Sequence, residues 1–247
     1  MIIIPARLAS TRFKEKILCD ISGEPMFVAT AKNALKTGDD VIVACDDKSV
    51  EKIAKKHGIK AVMTSKKHES GSDRINEACA SLGLRDDEIV INIQADEPFF
   101  ELKNLSKFID FARSSIKNGA FMASCFKGID FKSASDPNIV KVVLDSSLNA
   151  LYFSRSIIPY ARDGRVNREY FGHIGIYAYS VATLRAFCAF NDRVLENIEK
   201  LEQLRALSAG QKIAMLKIST KSMGIDTKED YEKAAKIYGF EAKIKEF

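Results

Sequence analysis

The chain has 247 residues, 46% of them hydrophobic and 29% charged, with 38 Lys and Arg against 33 Asp and Glu. That length fits one large α/β domain or two small ones and buries a sizeable core, and the composition excludes a disordered chain. A net charge of +5, with no basic stripe interleaved with aromatics, is too mild for a nucleic-acid partner.

Strand and helix patterns alternate, the mark of an α/β fold. Ile2 to Ile4 is a buried strand. Pro25 suits the first turn of a helix that runs to Lys36 and stops at Gly38. Val41 to Cys45 is a second strand, Ser49 to His57 a short helix closed by Gly58, and Ile59 to Met63 a third strand. Ile75, Ala78, Cys79 and Leu82 fall at i, i+3, i+4, i+7, one apolar helical face. Ile89 to Ile93 is a fourth strand, Leu105 to Ala112 repeats the helical spacing, and Ala120 to Phe126 is another strand. After about Ser133 the pattern changes. Val140 to Leu144, Ala150 to Phe153 and His173 to Tyr179 read as strands without full crossover helices, so an added mixed-sheet region is expected around 138–180. Pro159 to Tyr170 reads as an exposed loop. Leu195 to Ala209 is a helix or two short ones, Ile213 to Ile218 a late strand, and Lys228 to Tyr238 a terminal helix that Thr227 can cap. One domain with an insertion, spanning 1–247, is the simplest account.

The cysteines, Cys19, Cys45, Cys79, Cys125 and Cys188, are odd in number and widely spaced with no CxxC. Neither a zinc knuckle nor a disulfide framework is supported, and Cys45, Cys79 and Cys125 read as small core residues in a reducing compartment. No run approaches the ~20 apolar residues of a spanning helix, and Met1 leads straight into a strand without a basic leader. The expectation is a cytoplasmic protein with no membrane partner.

Chemistry gathers where strands end. The first strand delivers Arg7, Arg12, Lys14 and Lys16 within ten residues, in a loop that is either a solvated basic loop or a cradle for a triphosphate. No Walker A pattern occurs, so this is not a P-loop enzyme. The fourth strand ends in Gln94-Ala95-Asp96-Glu97-Pro98, either a plain turn or a carboxylate site for a hard cation such as Mg²⁺. Asp226 is the best second carboxylate, and its rival role is helix capping. His68 to Arg74 leads into a helix. Gly71 permits close backbone approach there, and the open N–H groups bind an anion or a base edge unless they only cap. Arg155 offers a bidentate fork for a substrate carboxylate, beside His173, each with a structural alternative. Glu196, Glu199 and Gln203 fall at i, i+3, i+7, one helical face for sugar hydroxyls or for solvent.

In this order the motifs resemble the cytidylyltransferases that activate 2-keto sugar acids, and among them the branch that uses 3-deoxy-manno-octulosonate (KDO). The resemblance covers nearly the whole chain. It is carried by Ile3-Ile4-Pro5-Ala6-Arg7 with Ala9-Ser10-Thr11-Arg12, by His68-Glu69-Ser70-Gly71-Ser72-Asp73-Arg74 and by Gln94 to Pro98. Pro137 to Val143, Tyr152-Phe153-Ser154-Arg155, His173-Ile174-Gly175-Ile176-Tyr177, Leu201-Glu202-Gln203-Leu204-Arg205 and Gly224-Ile225-Asp226-Thr227 continue it. It implies a Rossmann-like nucleotide-diphospho-sugar transferase fold, a mostly parallel mixed sheet flanked by helices. A homodimer is implied as well, and the 138–180 insertion is the expected interface. The implied reaction is CTP plus KDO giving CMP-KDO and pyrophosphate with Mg²⁺, for the lipopolysaccharide inner core. Activation of another nonulosonic acid, sialic or pseudaminic, is the alternative.

On that resemblance Asp96 and Asp226 hold the metal. Arg7, Arg12 and Lys16 bind the triphosphate, with Arg7 and Lys16 also catalytic. Ser70, Gly71, Ser72, Arg74 and Gln94 contact the nucleotide, and Gln94, Arg155, His173, Tyr177, Glu199 and Gln203 contact the sugar. Two positions depart from the family pattern. Lys14-Glu15 stands where Pro-Gly usually precedes the phosphate-loop lysine, and Ala95 stands where Gly often precedes the metal aspartate.

Overall fold

The computed structural model describes residues 1–9, 13–164 and 169–242. The chain divides into two compact units, Met1–Ser106 with Thr220–Phe247, and Lys107–Ser219.

The first unit opens with β1 (Ile2–Ala6), a two-residue hairpin β2 (Asp20–Ile21) and β3 (Glu24–Pro25), and α1 (Met26–Leu35). β4 (Val41–Cys45), α2 (Lys48–Lys56), β5 (Lys60–Met63), α3 (Gly71–Ser81) and β6 (Ile89–Asn92) follow, and then α4 (Leu102–Lys117), of which the part up to Ser106 belongs to this unit and the rest to the second. Its strands lie in the order β6-β1-β4-β5, all parallel, with Ile4 beside Val43 and Ile3 beside Asn92. Ile2, Ile3, Ile4, Val43 and Val90 are fully buried, as expected for near-continuous β-branched runs in a sheet covered on both faces. Because the strands run the same way, their carboxyl ends deliver Arg7, Asp46, Thr64 and Gln94 to one edge, where open α/β sheets bind ligands.

Two details differ from the sequence reading here. Pro25 does not open the helix: it is extended (φ −57, ψ 142), pairs with Asp20 and stands just before α1. The hairpin itself carried no apolar periodicity long enough to mark it.

The second unit contains β7 (Met122–Ile129), α5 (Phe131–Ala134), β8 (Lys141–Leu144), β9 (Ala150–Ser154) and β10 (Tyr170–Ser180). It continues with α6 (Val181–Ala189), α7 (Val194–Glu199), α8 (Leu204–Ser208) and β11 (Ile213–Lys217). β7 pairs parallel with β11 and antiparallel with β10, and β8 and β9 form an antiparallel hairpin whose first strand touches β10 at Gly172. Phe126, Phe153, Leu184, Phe187 and Met215 fill its core. The mixed strands expected after Ser133 are present, but Tyr170 is buried at the start of β10 rather than exposed in the preceding loop. Helix α6, closed at its start by a Ser180–Thr183 capping box, was not anticipated. The Leu195 to Ala209 segment is two helices, because Lys200 takes the left-handed conformation (φ 54) and ends the first.

α9 (Lys228–Tyr238) returns to the first unit. Tyr231 and Ala234 of α9 pack with Phe13, Ile21, Met26 and Ile225, so the apolar face of α9 fixes the chain immediately before Asp226. No helix among the described residues is long and apolar enough to cross a membrane, and none of the five cysteines is in a disulfide, with Cys45, Cys79 and Cys125 buried.

Candidate active site

At the carboxyl edge of the first unit a cavity of about 270 Å³ is lined by Arg7, Lys16, Gly71, Gln94, Asp96 and Asp226 among others. Its centre is an ion triad. Lys16 Nζ donates to Asp226 Oδ1 at 2.8 Å and to Asp96 Oδ2. The carboxylates sit on segments far apart in sequence, which Ile225 N–H brings together by donating to the Asp96 carbonyl at 3.0 Å. Thr30 Oγ1, buried in α1, anchors the same turn through the Ala95 carbonyl at 2.9 Å. Desolvation alone would lower the Lys16 pKa, but the charge of Asp96 and the hydrogen bond and charge of Asp226 raise it above the usual lysine value. Desolvation likewise pushes the Asp96 carboxyl up, against the attraction of Lys16.

The capping alternative for Asp226 is resolved by its neighbour. Thr227 caps α9 and forms a capping box with Asp230, so the Asp226 side chain turns to Lys16. Among the described residues no cluster of three or more His, Cys, Asp or Glu side chains could hold a metal. Two carboxylates converging on one cationic atom nevertheless fit Mg²⁺, which binds through one or two carboxylates and completes its shell with water and substrate phosphates. The Lys16 ammonium is a stand-in for such a cation.

Around this centre the predicted nucleotide residues separate into groups. Arg7 is exposed and lines the cavity; Arg12 lies outside the described residues. Ser70 caps α3, accepting from Asp73 N–H at 3.1 Å. Gly71 also lines the cavity, and a Cβ there would stand 3.3 Å from Pro5 Cγ, so glycine lets the helix start close against the end of β1. Gln94 Nε2 donates to Asn92 Oδ1 at 3.1 Å. Ser72 is buried in α3 and does not line the cavity. Arg74 is buried too, and its guanidinium serves the protein. Nη2 donates to Asp46 Oδ2 at 2.9 Å and Nη1 to Thr64 Oγ1 at 2.6 Å. Asp46 Oδ1 in turn accepts from Leu8 N–H at 3.1 Å, tying down the residue after Arg7. Asp46 escaped the sequence reading, although it follows the second strand much as Asp96 follows the fourth.

Of the predicted sugar residues, Gln94 lies in the first unit and Arg155, His173, Tyr177, Glu199 and Gln203 lie in the second. A bulge in β10 between Ile174 and Tyr177 is held by Ser124 of β7, whose hydroxyl meets the carbonyls of Ile176 (2.8 Å) and Ile174 (3.2 Å). A hydroxyl has one proton; given to a bulge carbonyl, it leaves the Ser124 oxygen to accept from His173 Nε2–H at 2.9 Å. His173 Nδ1 then has no protein partner among the described residues. Desolvation drives the His173 pKa down to about 3, so the ring is neutral. Burial also pushes the Tyr177 phenol up, with Glu202 adding to it. Tyr177 OH donates to Gln203 Oε1 at 3.1 Å, while Gln203 Nε2 is buried without a partner among the described residues.

The single helical face of Glu196, Glu199 and Gln203 does not form, because the left-handed Lys200 breaks the helix between Glu199 and Gln203. Glu196 instead makes two bonds of 2.7 Å to the buried Arg205. Glu199 accepts from Ser154 Oγ at 2.5 Å and from Arg155 N–H at 2.9 Å. Of these three side chains, Gln203 keeps its Nε2 without a partner among the described residues.

A parallel α/β sheet with converging carboxylates and cations at its carboxyl edge belongs to the nucleotidyltransferase class. The family model described as Cytidylyltransferase matches residues 1–213. A Helicobacter pylori (strain J99) protein named 3-deoxy-manno-octulosonate cytidylyltransferase is 52% identical over 96% of this chain and 97% of its own. One of the same name from Wolinella succinogenes is 49% identical over 97% and 99%. The structure of a CMP:2-keto-3-deoxy-manno-octonic acid synthetase complexed with CTP superposes with a TM-score of 0.89 at 36% identity, over 96% of this chain and 97% of that one. The chain belongs to the 3-deoxy-manno-octulosonate cytidylyltransferase family.

Proposed function

We propose that this chain transfers CMP from CTP to the anomeric hydroxyl of KDO, releasing pyrophosphate, and that Asp96 and Asp226 hold Mg²⁺ for the reaction. The anomeric oxygen attacks the α-phosphorus, the bond from that phosphorus to the bridging oxygen of the β-phosphate breaks, and the hydroxyl proton leaves to solvent. Arg7 and Lys16 bind the triphosphate and stabilise charge on the departing pyrophosphate, and Arg12 joins them on the resemblance of its motif. The N-terminal N–H groups of α3 at Gly71, with Ser70 and Gln94, meet the nucleotide. When bound, Mg²⁺ supplies neutralisation of phosphate charge and a lowered hydroxyl pKa.

For the sugar acid, His173 Nδ1 accepts from a hydroxyl and Gln203 Nε2 donates to one. Tyr177 orients the Gln203 amide, Glu199 fixes the main chain of Arg155, and Arg155 takes the carboxylate. The observation that carries this reading is the convergence of Asp96 and Asp226 on one cation. The names of the relatives favour KDO over another nonulosonic acid. The protein works as a homodimer through the 138–180 region, which presents exposed Leu148, Leu151 and Tyr160, and it does so in the cytoplasm, where CTP is supplied.

The deciding experiment is pyrophosphate release from CTP and Mg²⁺ with and without KDO. Release that strictly requires KDO supports the transferase. Release only with sialic or pseudaminic acid keeps the chemistry and changes the acceptor, and none with any acceptor overturns the reading. Light scattering at twice the chain mass tests the dimer.

A further inference from the structure

Lys141 has no exposed surface, and no carboxylate pairs with it among the described residues. It opens β8, opposite Ser154 of β9 and Gly172 of β10. Its Nζ donates to three main-chain carbonyls: Asp136 at 2.9 Å, Ile139 at 2.6 Å and Arg155 at 2.7 Å. An ammonium has three donors and no acceptor, so these carbonyls exhaust it. The charges of Asp136 and Glu199 act on it without pairing directly with it; burying a cation without a paired carboxylate is expensive, and an apolar side chain of similar length would fill the same space without that cost.

What Lys141 holds is the frame of Arg155. The Arg155 fork reaches the carbonyls of Glu199 (Nε, 2.8 Å), Pro137 (Nη1, 3.0 Å) and Lys200 (Nη2, 3.5 Å). Pro137 lies in the turn whose flanking carbonyls, Asp136 and Ile139, are on Lys141. The lysine and the arginine therefore lock the same turn from both sides. Three of the five guanidinium N–H groups are spent on carbonyls, which leaves one on each terminal nitrogen to offer to a carboxylate.

We propose that Lys141 is a positioning residue for the acceptor: its ammonium fixes the Arg155 main chain and the 136–139 turn so that the remaining fork of Arg155 meets the sugar-acid carboxylate. This rests on the reading of the second unit as the sugar-acid side.

The test is steady-state kinetics of full-length Lys141→Met and Lys141→Gln with each substrate varied in turn. Lys141→Met should raise KM for KDO at least about tenfold while KM for CTP stays within about twofold. Lys141→Gln, which keeps two donors, should recover part of the loss. A purely structural lysine would leave both KM values unchanged and lower kcat only in proportion to the folded fraction, measured by circular dichroism; that result overturns the proposal. Should Lys141→Met not fold, Lys141→Gln carries the same comparison. Gln203→Leu separates the two readings. If it raises KM for KDO and the Lys141 variants do not, only the role of Lys141 falls. If it leaves KM for KDO unchanged, the sugar-acid reading of the second unit falls with it.

Discussion

Lys16 Nζ stands 2.8 Å from Asp226 Oδ1 while also donating to Asp96, so one ammonium fills the point at which the two carboxylates converge. A divalent cation can take that point only if Lys16 leaves it, and Lys16 then becomes available for a triphosphate.

Lys16→Met should therefore bind Mg²⁺ or Mn²⁺ more tightly than the wild type in the absence of CTP. An ion pair of this exposure is worth about 1 kcal/mol, or roughly fivefold in affinity. Turnover should fall about 100-fold or more, because a cation aimed at the leaving pyrophosphate is lost. Calorimetric titration of the nucleotide-free protein checks the first part. Affinity equal to or weaker than wild type would mean that the lysine does not compete with the metal.

Arg74 and Asp46 form a buried ion pair, with side-chain exposures of 2% and 8%, and Asp46 also holds Leu8 N–H. Removing one partner of such a pair leaves an uncompensated buried charge and costs about 3–5 kcal/mol. Arg74→Met should show that loss in urea denaturation. Its surviving folded fraction should have a raised KM for CTP, since the residue after Arg7 loses its anchor. A stability loss below about 1 kcal/mol would mean that the pair is not formed in solution.

How far the sequence reached follows from where each signal originates. The parallel strands were legible because β-branched runs buried on both faces are continuous, and the meeting of Asp96 with Lys16 and Asp226 was legible because polar residues concentrate in the segments at the carboxyl edge of such a sheet. The buried partner of Arg74 was not legible, since a cation three residues inside a helix reads the same whether or not it also meets a buried aspartate such as Asp46. The helical face of Glu196, Glu199 and Gln203 was misjudged because Lys200 adopts a left-handed conformation that its residue type does not announce. The bulge that sets His173 against Ser124 depends on a partner strand some 50 positions away, which local periodicity cannot encode.

Glu15 offers a test of a departure from the family pattern. It occupies the position usually held by glycine, and its backbone is left-handed (φ 51, ψ 28). An L-residue there is strained by roughly 1–2 kcal/mol, and glycine returns part of that as unfolded-state entropy. Glu15→Gly should raise stability by about 0.5–1 kcal/mol, read as a higher urea midpoint at unchanged slope. A lower midpoint would show that the side chain of Glu15 contributes more than its backbone costs.

His173 gives the chain a predictable acid sensitivity. Its pKa falls from 6.5 to about 3 through desolvation. Above pH 6.5 folded and unfolded chains both carry neutral rings, and the residue adds nothing to the pH dependence. As the pH falls below 6.5 the unfolded chain takes a proton that the folded chain refuses, so stability drops until about pH 3, where the folded chain also protonates and the loss stops growing. Between pH 7.5 and 4.5 this amounts to something on the order of 2 kcal/mol. His173→Gln should lose less stability than the wild type over that interval, whatever its stability at pH 7.5, because its amide can still accept from or donate to Ser124 but does not titrate. The rings of His173 and Phe153 meet in a T-shaped contact, with centroids 4.9 Å apart. Paired urea denaturations at the two pH values measure the difference; equal losses in both proteins would place the His173 ring in solvent rather than against Ser124 and Phe153.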